Sequence, residues 1–331
     1  MKKIVFYCND SISNIQKFEY YSLDIKALEE LGFNVVICTR YREIPKDFDA
    51  IYIYWWTYAL FPIFLARWKR KPAFVSGVFN YQFPQWQSGR DYFKRPLWQR
   101  LAMKWAMQLA DANLVTSLSD FKNCTKAFSL SNTYYTPCCI GQEYFQIDNN
   151  IRSNQLMNIA WSGDSNLKRK GVYDIIDALS IVKASGYQFR LKLAGAIGNG
   201  AEKLKAMIVT NGLENEVEFI GEVSKSHKLQ LLKDSNIYVQ PSNYEGFGLA
   251  SAEAMAAGLK VIACDVGDVK NTLGNHAIYV ENGNITEIAD EIIKLLDRGV
   301  SRSEILAGKS FLNDRFSFEK KLDDIQKIVK F

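Results

Sequence analysis

Histidine is almost absent from this chain: His227 and His276 are the two present in 331 residues. Six cysteines occur, and none is paired in a C-x-x-C spacing. Together these leave too few ligands in metal-binding spacing for a zinc cluster. Several of the cysteines lie in strand-like runs, which reads as buried free thiols in a reducing cytosol. No apolar run reaches the roughly 18 residues of a membrane span. The opening MKKIVFYCND has too short an apolar core for a signal peptide and reads as a first strand. Repeats and low-complexity segments are also missing. No D-x-D stands at a plausible loop: Asp10, and Asp323 with Asp324, read as loop and helix surface, so no metal is implied. The stretch AGAIGNG (194–200) is not G-x-G-x-x-G, and no acid ends a matching second strand. A glycine turn accounts for it, and no dinucleotide cofactor is expected.

Acidic residues are scarce in one place. Residues 1–145 hold 18 Lys and Arg against 12 Asp and Glu, whereas the remainder holds 23 against 24. Most of the excess lies between 51 and 110, where nine basic residues face Asp91 alone. A basic half beside a neutral one predicts an anionic partner for the first.

What is present is a regular alternation. KIVFY (3–7), FNVVICT (33–39), FDAIYIYWW (48–56), AFVSGVF (73–79), DANLVTS (111–117) and NTYYTP (132–137) read as strands, with a helix over 17–31. QLMNIAW (155–161) opens a second series, with strands near 189–195, 217–221, 237–240, 260–264 and 277–280. Helices are expected over 171–185, 201–211, 225–233 and 285–297, and near 316–330. This is α/β, with parallel sheets covered by helices. Length allows two domains, each with its own core.

Residues 94–110 form an amphipathic helix, with Pro96 suited to its first position. Leu97, Leu101, Trp105 and Leu109 line one face, and Arg100, Lys104 and Gln108 mark another. With RWKRK (67–71), two readings stand: the helix rests on an anionic membrane surface, or it packs in the core with a solvated basic edge.

The stretch that organises the chain is PSNYEGFGLASAEAMAAGLKVIACD, from Pro241 to Asp265. It reads as loop, helix, strand, after the strand IYVQ. The loop therefore lies at the carboxyl end of a parallel strand, where open α/β sheets bind ligands. Gly246 and Gly248 let backbone N–H groups approach a ligand. The helix beginning near Gly248 points its positive end at whatever the loop holds. Glu245 precedes that helix and Glu253 lies two turns into it, placed to grip two parts of an extended ligand. A second loop, WSGDSNLKRKG (161–171), sets Lys168, Arg169 and Lys170 before Gly171, cations suited to a diphosphate.

The pattern PS-x-x-EGFG-x-x-x-x-EAMA-x-G, matched from Pro241 to Gly258, resembles the signature of family 4 retaining glycosyltransferases. The resemblance continues more weakly through most of 155–298, and the N-terminal half matches in layout only. It implies a GT-B fold: two Rossmann-like doubly wound domains facing a cleft, the C-terminal helix crossing back to the first. The expected divisions are an acceptor-binding domain over 1–145, a nucleotide-sugar-binding domain over 146–310, and a returning helix over 311–331. It implies a metal-independent transferase moving a hexose from a nucleoside-diphosphate sugar to a saccharide or lipid-linked acceptor in glycan assembly. The expected location is the cytoplasm or the inner membrane face, with no nucleic-acid partner.

By the same resemblance, Glu253 accepts hydrogen bonds from the ribose and Glu245 contacts the donor sugar. The N–H groups around Gly246, namely those of Phe247, Gly248 and Leu249, hold sugar and phosphate oxygens. Lys170, with Arg169, stabilises the departing diphosphate. The chain departs from the family in three places. Asp164 stands where relatives have an arginine, so either Arg169 supplies that charge or the donor site is weakened. The segment after the first strand lacks paired glycines. No histidine follows the strand at 73–79, where Asn80, Tyr81 and Gln82 remain as candidates. These departures keep a second reading open, a catalytically weak or inactive binding subunit.

Overall fold

A computed structural model describes residues 1–82, 91–148 and 154–331. Residues 83–90, which follow the candidates Asn80, Tyr81 and Gln82, and residues 149–153 lie outside the described residues. In chain order the first elements are β1 (Lys3–Cys8), α1 (Ile12–Lys17), α2 (Glu19–Glu30), β2 (Asn34–Cys38), β3 (Ala50–Tyr54), α3 (Leu60–Trp68), β4 (Ala73–Gly77), α4 (Leu97–Leu109), β5 (Ala112–Val115), α5 (Leu118–Phe128) and β6 (Thr133–Tyr135). The six strands form one parallel sheet in the order β2-β1-β3-β4-β5-β6. Side chains alternate across a strand, so β1 sends Val5 and Tyr7 to one face and Ile4 and Phe6 to the other. The first face packs against Ile63 and Ala66 of α3 and Met103, Ala106 and Met107 of α4. The second packs against Tyr21, Ala27 and Leu28 of α2.

The chain continues with α6 (Gln142–Phe145), β7 (Gln155–Ile159), α7 (Asp164–Arg169), α8 (Val172–Ala184), β8 (Arg190–Ala194), α9 (Ala201–Thr210), β9 (Val217–Gly221), α10 (Lys225–Lys233), β10 (Ile237–Gln240), α11 (Leu249–Ala256), β11 (Lys260–Cys264), α12 (Val269–Leu273), β12 (Ile278–Val280), α13 (Ile285–Arg298), α14 (Arg302–Phe316) and α15 (Phe318–Ile328). A second parallel sheet runs β12-β11-β10-β7-β8-β9. Its order reverses between β7 and β10. The chain moves outward from β7 through β8 and β9, then returns to the other side of β7. The core of this unit is built from Leu156, Leu191, Leu193 and Val239 with the apolar sides of α8, α9 and α13.

The chain divides into two compact units, Met1–Gly141 with Phe316–Phe331, and Gln142–Arg315. The last helix therefore belongs with the first unit. There Phe318 and Ile325 enter the core, and Lys321 forms a buried ion pair with Asp24 at 3.1 Å. Asp24 also accepts from Tyr52 at 2.7 Å and Ser76 at 3.2 Å.

Two local expectations are corrected, and of the two readings of α4 the core-packed one fails for the face named in the sequence. Pro96 stands one position before the first helical residue, with ψ 146°. The face of α4 bearing Leu97, Leu101 and Trp105 is exposed, and Met103, Ala106 and Met107 are the buried side. Arg100 marks no solvated edge, because its guanidinium lies over the rings of Tyr92 and Phe93 at 5.3 and 5.5 Å. All six cysteines are free, five of them buried.

Candidate functional site

The site of interest lies where the second sheet reverses. The loops after β7 and β10 leave adjacent strands at their carboxyl ends, the crevice position of an open α/β sheet. One glycine lets these loops meet. Gly171 has φ +66°, and a Cβ there would fall 2.3 Å from the carbonyl oxygen of Pro241. Asn243 then fastens the contact: its N–H donates to the Arg169 carbonyl at 2.7 Å and its Nδ2 to the Lys168 carbonyl at 2.8 Å. Lys168, Arg169 and Lys170 were expected on a loop, but residues 164–169 make one short helix, α7, which ends at Lys170.

This arrangement gathers Glu245 with two of the cations. Its Oε1 lies 3.1 Å from Arg169 Nη1 and 3.2 Å from Lys170 Nζ. The same oxygen accepts from Gln240 Nε2 and Ser242 Oγ, each at 3.1 Å. Arg169 is anchored further by the Tyr244 carbonyl and by Asn166 Oδ1, both at 2.8 Å. Lys170 donates to Gln240 Oε1 at 3.2 Å, and the Tyr238 hydroxyl donates to that oxygen at 2.8 Å. Burial alone would raise the Glu245 carboxyl, but the charges of Lys170 and Arg169 and the bonds from Lys170 and Ser242 hold it below the usual carboxylate range. One carboxylate between two cations leaves the cluster net positive.

The turn from Glu245 into α11 is held from below. Gly267, at φ +58°, lies so close that a Cβ would overlap the Glu245 carbonyl oxygen, and Asp268 N–H donates to the Gly246 carbonyl at 3.1 Å. Gly248 caps α11 with φ +78°, the left-handed conformation that favours glycine. Gly246 differs: a Cβ there would meet nothing within 4 Å, so packing does not explain its lack of a side chain. Phe247 is buried and Leu249 half-buried. Helix geometry leaves the first N–H groups of α11 without intrahelical acceptors, with the positive dipole end at the turn.

Glu253 is not part of the Glu245 cluster. It is buried on α11, with Oε2 3.0 Å from Lys228 Nζ of α10, and Lys228 lies over the Tyr144 ring at 4.9 Å. Tyr238 connects the two carboxylates electrostatically. It is fully buried, and burial together with the charges of Glu253 and Glu245 pushes its hydroxyl well above the ordinary range.

Asp164 is satisfied locally. It accepts from the Tyr173 hydroxyl at 2.8 Å and pairs with Lys168 at 3.1 Å and Lys203 at 3.3 Å. The Tyr173 and Lys168 hydrogen bonds hold its carboxyl down at about 2. The cations around this aspartate offset it, and the guanidinium near the turn is that of Arg169.

The glycines of 195–200 serve this loop. Ser162 N–H donates to the Ala196 carbonyl at 2.9 Å, and Gly198 N–H donates to Ser162 Oγ at 2.7 Å. A Cβ on Gly198 or Gly200 would come within 3 Å of the 163–164 backbone. His227 is exposed on α10, and His276 packs on Phe311 at 4.9 Å. Among the described residues, no three His, Cys, Asp or Glu side chains are grouped as metal ligands would be.

Sequence reasoning missed Tyr238, Gln240, Ser242, Asn243, Lys228 and Gly267. The V-G-D after β11 was the available signal for Gly267. The others lie within or beside recognised strands, and their roles depend on a partner far along the chain.

Residues 154–307 match the family model described as Glycosyl transferases group 1. The matched segment contains the Glu245 cluster, the turn into α11, and Glu253 with Lys228. Among curated proteins, the chain is similar to the capsular polysaccharide biosynthesis glycosyltransferase CapM of Staphylococcus aureus, 29% identical over 187 residues, 53% of this chain and 48% of that protein. It is also similar to the phosphatidyl-myo-inositol mannosyltransferase of Mycobacterium leprae, 27% identical over 165 residues, 49% of this chain and 43% of that one. The chain thus spans about half the length of the curated relatives it matches. Among solved structures, Anabaena HepE in complex with UDP superposes with a TM-score of 0.74 at 16% identity, over 99% of both chains. The architecture of two parallel six-stranded sheets with alternating helices is that of GT-B glycosyltransferases.

Proposed function

We propose that this chain is a retaining hexosyltransferase, taking its sugar from a nucleoside diphosphate and passing it to a saccharide or lipid-linked acceptor in surface polysaccharide or glycan assembly. The observation that carries the proposal is the Glu245–Arg169–Lys170 cluster at the sheet reversal, next to the positive end of α11. The CapM and mannosyltransferase likenesses support the reaction class, and the likeness to a UDP complex supports the donor type.

The bond broken is that from sugar C1 to the phosphate oxygen. The departing diphosphate gains negative charge, and preorganised positive groups stabilise it most as the bond breaks. Lys170, Arg169 and the first N–H groups of α11 are those groups. The acceptor hydroxyl attacks C1 from the face the diphosphate leaves, its proton passing to a phosphate oxygen, so configuration is retained. Glu245 accepts hydrogen bonds from donor-sugar hydroxyls, and its lowered pKa keeps it an acceptor at neutral pH. Glu253 holds the ribose hydroxyls, exchanging its bond with Lys228 for bonds to ligand. The reaction needs no metal, and a chelator leaves it unchanged. The work takes place in the cytoplasm, against an anionic membrane surface that the first unit contacts.

A second reading, a binding subunit with little turnover, draws on Asp164 in place of arginine and on the sharing of both cations by one carboxylate. Donor hydrolysis or transfer by the purified protein decides between the two. The transferase reading expects measurable turnover that vanishes in Glu245→Ala. Turnover absent from the wild type favours the subunit, and turnover undiminished in the variant removes Glu245 from the site.

A further inference from the structure

The helices α3 and α4 pack side by side over one face of the first unit's sheet, and each is apolar on two sides. One side enters the core. The other carries Phe61, Phe64 and Trp68 on α3 and Leu97, Trp98, Leu101 and Trp105 on α4, all exposed. Trp68 is 81% accessible, Trp98 71% and Trp105 51%. The spacings 61, 64, 68 and 97, 101, 105 each follow one helical stripe. Exposed aromatic stripes on two neighbouring helices mark an interaction site.

The charge around it identifies the partner. Between residues 51 and 110 the one acidic residue is Asp91, which is buried and accepts from Lys94 N–H. Arg67 and Arg70 are exposed at the end of α3, and with Lys71 they line a cavity of about 420 Å³ beside Pro72, Asp111 and Phe331. Lys69 Nζ lies 5.6 Å from the Trp68 ring, an ammonium held against an indole. A helix surface with tryptophans on the apolar side and a basic excess at the margin, where Arg67 and Arg70 outnumber the exposed Asp111 and Lys71 pairs with Asp49, matches a lipid surface of negative charge. Crossover helices in a parallel sheet run from the carboxyl edge back to the amino edge. Phe61, Leu97 and Trp98 therefore stand near the carboxyl edge of this sheet, and Trp68 and Trp105 near the opposite edge.

We propose that this face lies flat on a bilayer of anionic lipid, with the aromatic stripes of α3 and α4 in the headgroup layer and Arg67, Lys69 and Arg70 against phosphates. The proposal deepens, and rests on, the membrane contact in the reading above by naming the face that makes it. It also selects a lipid-linked acceptor over a soluble saccharide.

Sedimentation with vesicles, without donor, tests it. The protein should pellet with vesicles of equal phosphatidylglycerol and phosphatidylcholine, and at least about tenfold more weakly with phosphatidylcholine alone. Raising the salt should weaken binding. Trp68→Ser with Trp98→Ser and Trp105→Ser, and separately Arg67→Glu with Lys69→Glu and Arg70→Glu, should each cost at least about tenfold in binding. Five of these six side chains are exposed and Lys69 is half-buried, so circular dichroism should report an unchanged fold. In the wild type, bromine-labelled lipid chains should quench tryptophan emission. No binding to the anionic vesicles, binding undiminished in the tryptophan variant, or a stable dimer by light scattering that hides this face would each overturn it. Donor hydrolysis measured without vesicles reports separately on the second unit, so failure here is distinguishable from failure of the transferase reading.

Discussion

Lys170 has two structural partners, Gln240 and Glu245, and the sequence surrounds it with neighbours that hold it in place. Gly171 permits the close approach to Pro241, and Asn243 donates to the carbonyls of Lys168 and Arg169. A cation so fixed loses little entropy when charge develops beside it. Lys170→Ala should therefore lower turnover by about 100-fold or more, with a smaller effect on donor KM. Steady-state kinetics check this, and near-normal turnover would take Lys170 out of the mechanism. The pairing with Glu245 was not legible beforehand. The string from Pro241 to Gly258 singled out Glu245, and the basic triplet singled out Lys170, but their meeting is set by how two loops 70 residues apart pack. Asp164 shows the same gap. Its sequence position suggested repulsion of a diphosphate, whereas Lys168, Lys203 and Tyr173 already engage it.

At the scale of the element, α15 closes the first unit through a buried ion pair. Burial alone would lower the Lys321 pKa, yet Asp24 beside it, with the nearby cysteines, raises it above the ordinary 10.5. The sign follows. The stabilisation from this shift is complete below 10.5 and is lost as pH rises through the raised folded value. Lys321→Met leaves Asp24 buried without its cation and should cost about 3–5 kcal/mol. Adding Asp24→Leu should restore much of that loss. Denaturant unfolding at pH 7 checks both, and a single variant within 1 kcal/mol of wild type would mean that Tyr52 and Ser76 suffice for Asp24. Strands were readable because parallel buried strands are continuous apolar runs, and the long helices because their faces repeat. The short α7 and α12 offer too few turns for a period. α14 spreads its apolar residues around the helix, so it leaves no stripe to detect. α4 stayed open between two readings for another reason: both its sides are apolar, and a pattern cannot say which one meets the core.

At the scale of the whole molecule, the two units carry different chemistry. The first holds the basic excess and the exposed aromatic face, and the second holds the carboxylates, cations and glycine turns at a sheet reversal. The β-α-β alternation announced two parallel sheets, and the structure has them. The family-like string lies in the second unit, which is also where the family model matches. On the proposed reading, the carboxyl edge around β7 and β10 recognises a nucleoside diphosphate and its sugar. The most direct measurement is thermal unfolding against UDP, GDP, ADP and their sugar conjugates. A ligand at about 100 times its Kd adds about 2.7 kcal/mol to the native state, enough to raise Tm by a few degrees. Such a rise is expected with one nucleotide family, larger for the sugar conjugate and reduced in Lys170→Ala. No rise with any of these compounds, or an equal rise in both Lys170→Ala and Arg169→Ala, would contradict it.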